Sequence, residues 1–171
     1  MRRRLIIGFF SLLIVSALII AAKPPTDYKF HSIYVYNFTK YIEWPQSAGT
    51  FRIAILSSDP SVLDPFQKMA ETKLVGGNKI EVELARNVNN LADCNILFVP
   101  ESESHAASKA IEKCKGKNTL VITEKSGLIE SGSCINFVLV DNRLKFEISK
   151  SAIESAGLKV SSQLLQMGIE K

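Results

Sequence analysis

Apolar side chains recur along this chain in three rhythms, and each rhythm predicts a different kind of element. Phe30, Ile33, Val35, Phe38 and Ile42 follow helical spacing, with Tyr28, Tyr34, Tyr36 and Tyr41 between them. That spacing predicts a helix reaching Trp44 and stopped by Pro45, which has no amide to donate. The short runs 51–56, 96–99 and 120–123 are apolar enough to be buried strands, and 96–99 has no polar break, so both its faces are expected inside. Ile80, Val82 and Leu84 instead alternate with Glu81 and Glu83, the mark of a half-exposed strand nearer an edge. A helix opening at Asp59-Pro60, with Val62, Leu63, Phe66 and Met69 inward and Gly76-Gly77 behind it, and a polar helix over 102–115 fall between these strands. Strand and helix in alternation imply right-handed crossovers and a parallel sheet.

The last third changes rhythm. Segments 134–140 and 143–149 read as strands joined by Asp141-Asn142, two residues that tolerate the left-handed conformations of a tight turn. A two-residue loop fixes the register: Val140 opposite Arg143, Leu139 opposite Leu144, Phe137 opposite Phe146, Ile135 opposite Ile148. The large apolar residues then share one face, while Asn136, Val138 and Val140 lie against Glu147, Lys145 and Arg143 on the other. A final helix carrying Leu158, Val160, Leu164 and Leu165 is expected after Gly157. The fold class is α/β: a mostly parallel sheet flanked by helices, with a C-terminal antiparallel hairpin.

The first residues change the picture of the chain's address. Arg2, Arg3 and Arg4 precede an apolar run over 5–22, followed by Lys23, Pro24 and Pro25, in the order of a secretory signal peptide, with cleavage expected after Ala22. An uncleaved membrane anchor is the other reading of the same run. Residues 23–171, roughly 150 in number, suffice for one domain with a core of its own. The formal charge of +4 includes those three arginines, so the mature domain is near neutral, and no nucleic-acid partner is indicated.

Candidate chemistry is sparse. There is no glycine-rich phosphate loop, no nucleophile elbow and no HExxH, and the 127–132 segment (GLIESG) reads as a loop. No catalytic residue, metal site or cofactor is predicted. The three cysteines, Cys94, Cys114 and Cys134, stand in a chain bound for an oxidising compartment, which allows one bridge and one spare thiol. Cys94 opens a strand and Cys114 closes the helix returning beside it, which favours Cys94–Cys114, with Cys134 able to compete. Within 34–45 (YVYNFTKYIEWP), Asn37, Lys40 and Glu43 would share one helical face as a binding stripe or a solvated ion pair. Trp44 and the neighbouring aromatics are candidates to line an apolar cleft.

The segments YNFTKYIEWP, FRIAIL, GSCINFVLVDNRLKFEIS and AGLKVSSQLL, in this order and spacing, resemble the YfiR-like family of periplasmic proteins. The resemblance implies an α/β domain that dimerises and a non-enzymatic role: repression of a membrane-bound diguanylate cyclase, relieved when an outer-membrane lipoprotein sequesters the repressor. Relatives also stand beside, or fused to, sensor kinases. The founding protein has four cysteines in two bridges, so with three here one bridge is absent or rearranged. The expectation is therefore an exported regulator of a membrane sensor, with Asn136, Arg143, Lys145 and Glu147 of the hairpin available to a partner. A periplasmic module binding a small ligand or cell-wall fragment is the alternative.

Overall fold

The computed structural model describes residues 26–45 and 49–171; the expected signal segment lies outside the described residues. In chain order the elements are α1 (Lys29–Phe38), β1 (Ile42–Glu43), β2 (Phe51–Leu56), α2 (Leu63–Thr72), β3 (Leu74–Val75), β4 (Asn78–Ala85), β5 (Ile96–Val99), α3 (Ala107–Cys114), β6 (Leu120–Thr123), β7 (Ile135–Val140), β8 (Arg143–Ile148), α4 (Lys150–Ser155), β9 (Lys159–Val160), α5 (Ser162–Met167) and β10 (Ile169–Glu170). Eight strands form one sheet in the order β10-β8-β7-β6-β5-β2-β4-β3, and β1 pairs separately with β9. Strands β4, β2, β5, β6 and β7 run parallel, and β8 returns antiparallel to β7. This is the α/β architecture the rhythms predict.

The central strands of the sheet are buried on both faces. Ile53, Ile55, Ile96, Phe98, Leu120, Ile122, Ile135 and Phe137 point into the larger cluster, where Val35 and Phe38 of α1 and Phe66 and Met69 of α2 cover them. Ala54, Leu56, Leu97, Val99 and Val121 point the other way, under Ala107, Ala110 and Cys114 of α3. Alternate residues of one strand thus serve two cores, which is why 96–99 has no polar position. Strand β4 is half exposed, as its alternation requires.

Two helices are shorter than the spacing predicts, one at its end and one at its start. Helix α1 stops at Phe38 rather than Trp44, because the amides of Thr39, Lys40 and Tyr41 bond to carbonyls three residues back, a tightened last turn. Ile42 and Glu43 then pair with Val160 and Lys159, so tertiary pairing overrides the helical pattern. Near the carboxyl end, Ser149 caps α4 through the Ala152 amide, Gly157 at φ +81° turns the chain out, and Ser161 caps α5 through the Leu164 amide. Leu158 and Val160 therefore lie between two short helices, not inside one. The expected helix over 102–115 opens as a 3-10 turn, Glu101–Ala106, before α3.

Strand order reverses between β2 and β5, the place where open α/β sheets usually bind ligands. Here that crevice is bridged by the chain itself. Glu103 Oε1 accepts from the Ser58 amide at 3.0 Å and the Ser58 hydroxyl at 2.7 Å, and those bonds hold the Glu103 carboxyl below the usual carboxylate range.

Candidate partner-binding face

The first turn of α1 is seated by a polar group inside an aromatic wall. His31 is 4% exposed and meets the rings of Tyr28, Phe98 and Phe137 at centroid distances of 5.1, 5.9 and 4.8 Å. Its Nε2 lies 3.1 Å from Glu124 Oε1, off the direction of a good hydrogen bond, and Nδ1 has no partner among the described residues. Glu124 Oε2 also accepts from the Glu101 amide at 3.1 Å and the Tyr28 hydroxyl at 3.3 Å. Burial pushes the Glu124 carboxyl up, but His31 and these donors outweigh it and hold it below its ordinary value. Burial and the facing carboxylate raise the Tyr28 phenol. His31 and Glu124 are far apart in sequence; the readable signal was that His31 shares the buried helical stripe of Tyr28, Val35 and Phe38.

Farther along α1, Tyr34 packs edge-on against Phe137 and Phe146 at 5.9 and 6.2 Å, so this helix lies across the β7–β8 hairpin. The predicted hairpin register is present at every pair, from Ile135 opposite Ile148 to Val140 opposite Arg143, and Asp141 and Asn142 adopt φ values of +50° and +57°. Phe137 and Phe146 are buried, yet Leu139, two residues on and on the same face, is 71% exposed. The strands outrun the helix that covers them. Phe30, one turn before Tyr34 and so on the same side of α1, is 62% exposed, and Ile33 is 44% exposed. Phe30 and Ile33 of α1 and Leu139 of the hairpin are thus apolar side chains left uncovered, while Arg143 and Lys145 are exposed on the opposite face of the hairpin.

The remaining predicted residues divide. Asn136 is fully enclosed: it accepts from the Thr123 hydroxyl at 2.7 Å and donates to Glu147 Oε2 at 3.1 Å, while Glu147 Oε1 lies 3.2 Å from Lys171 Nζ. Asn136 and Glu147 therefore tie β6, β7, β8 and the carboxyl end together, and Asn136 presents nothing to solvent. Asn37, Lys40 and Glu43 do not share a helical face, because Lys40 lies in the turn and Glu43 in β1. Lys40 donates to Asn37 Oδ1 at 2.8 Å and sits 4.9 Å over the Tyr36 ring, and Glu43 stands opposite Lys159. Trp44 packs edge-on against Phe51, donates to the Asn95 carbonyl at 3.2 Å, and rims a hollow of about 500 Å³ that also takes in Ile42, Phe51 and Val75. Of the aromatics of α1, Tyr34 and Phe38 pack on the sheet.

Cys94, Cys114 and Cys134 are buried thiols, so the expected Cys94–Cys114 bridge is not formed in this structure. Burial first, then the neighbouring Cys114 and Glu83, push Cys94 up to about 12. Burial pushes Cys134 up to about 11. A groove of about 500 Å³ lies between α3, the 129–134 loop and α4, floored by Val121, Ile129 and Cys134. No helix of the described residues is long and apolar enough to cross a membrane.

A model of the YfiR/HmsC-like family matches residues 28–169, from the tyrosine that touches Glu124 to the last strand. The chain belongs to the YfiR/HmsC-like family. No curated protein matches its sequence. Membership gathers the α1 seat, the parallel sheet and the hairpin into one family unit, because the match spans them all.

Proposed function

We propose that this protein is an exported regulator that binds the periplasmic part of a membrane-bound diguanylate cyclase or sensor kinase and represses it. The family supports a periplasmic regulator, and the observation that carries the docking site is the apolar face of Phe30, Ile33 and Leu139. Burying a side chain of this size is worth about 1.5–3 kcal/mol before association costs are met. Exposed apolar side chains of this size are where partners dock. The face also adjoins the end of α1 to which the expected signal connects. If that signal is cleaved after Ala22 the regulator diffuses; if it stays as an anchor, the face is held beside a membrane partner. Binding must favour the inactive sensor state for repression to follow.

An outer-membrane lipoprotein competing for the regulator and a homodimer both belong to this reading, and a Cys94–Cys114 bridge forming after export would staple the start of β5 to the end of α3. Capture of membrane proteins on purified wild type, compared with Leu139→Asp, tests the proposal. Wild type retains a cyclase or sensor kinase and the variant loses it; equal retention by both would remove the hairpin from the interface.

The groove behind α4 favours a second reading, in which a small ligand controls the regulator. Its volume and apolar floor suit such a site. Ligands that raise the melting temperature of wild type but not of Ile111→Trp, a substitution on the groove wall, support it.

A further inference from the structure

We infer that the outer edge of β4 accepts an added strand from a basic, extended segment of a partner protein. Strand β4 pairs with β2 along all of Ile80 to Ala85, but on its other side β3 covers only Asn78 and Lys79. From Ile80 onward no strand of the described residues lies beside it, so its outward amides and carbonyls form an open template. The opposite end of the sheet is capped by the two-residue β10.

Side chains next to this edge select the occupant. Glu81 and Glu83 are exposed on one sheet face, and among the described residues the one cation paired with either is Arg52, at 4.0 Å from Glu81 and itself exposed. On the other face Ile80 and Val82 border a shallow hollow of about 420 Å³ shared with Gln67, Ala70 and Glu71 of α2. A second copy is a poor fit. In antiparallel pairing, directly opposite residues share a face, so a register centred on Val82 sets Glu81 against Glu83 twice. A register centred on Glu83 sets that residue against itself. A segment with Lys or Arg at alternate positions and apolar residues between them satisfies both faces: the cations meet Glu81 and Glu83, and the apolar side chains enter the hollow. This is strand addition, with backbone bonds giving affinity and alternate side chains giving specificity.

The test uses the exported protein and two short alternating peptides, lysine–valine and glutamate–valine, read by amide hydrogen exchange. The lysine peptide is expected to slow exchange at the β4 amides that do not bond to β2, and the glutamate peptide to leave them unchanged. Glu81→Lys with Glu83→Lys, both on the exposed face, should weaken the lysine peptide about tenfold or more and admit the glutamate peptide. N-methylation of alternate peptide residues along one edge should abolish protection. Equal binding of both peptides, protection elsewhere, or β4 protected by self-association without peptide would overturn the inference.

Discussion

Leu139 and Glu124 show how single side chains carry different burdens. Leu139 is 71% exposed, so Leu139→Asp removes no core contact and should leave the melting temperature nearly unchanged while weakening partner capture. Glu124 contributes stability because its folded pKa is depressed: the contribution is complete above the ordinary carboxylate pKa and disappears as pH falls through the lowered folded value. Glu124→Gln should therefore cost about 1–3 kcal/mol at neutral pH and flatten the acid limb of a stability–pH curve measured by urea unfolding. An unchanged acid limb would mean that His31 is seated by packing alone. Gly168 bears a different constraint, since a Cβ there would meet Phe146 Cε2 at 2.5 Å and Ile148 Cγ2 at 2.8 Å. Gly168→Ala should loosen β10 from β8 and lower the melting temperature, with chemical-shift changes at Phe146 and Ile148.

At the scale of elements, what the sequence revealed depended on how local the deciding force was. The β7–β8 hairpin was legible to the residue pair because turn length and alternation both act within the segment. Its φ values make a test: Asn142→Val, a β-branched residue at φ +57°, should cost about 1–2 kcal/mol, while Asn142→Gly should be tolerated. The end of α1 was not legible, because Ile42 and Glu43 pair with a strand more than a hundred positions away, and no periodicity reports that. The same distance hid the seat of His31 on Glu124. Asn136 was readable as hairpin but not as interior, since its burial depends on Thr123 and Glu147 converging from β6 and β8.

For the molecule as a whole, the sheet divides its labour. One end carries the α1 seat, the hairpin tip and the exposed apolar face; the other gathers Cys94, Cys114 and Cys134 beside the start of the parallel strands. With pKa values raised by burial, these thiols should resist alkylation at neutral pH until the protein is denatured. If export forms the proposed Cys94–Cys114 bridge, a non-reduced digest will contain that cross-linked pair, one thiol will remain after denaturation, and reduction should cost about 3 kcal/mol of stability. Three titratable thiols in the exported protein would exclude the bridge.

The central claim is that this domain acts on the cell interior by docking its α1–hairpin face on a membrane cyclase. Intracellular cyclic di-GMP tests it most directly, measured after deletion of the gene and after complementation with wild type or with Phe30→Asp combined with Leu139→Asp. Deletion should raise cyclic di-GMP, wild type should restore it, and the double variant, at equal periplasmic abundance, should not. Unchanged cyclic di-GMP on deletion, or full restoration by the double variant, would contradict the account.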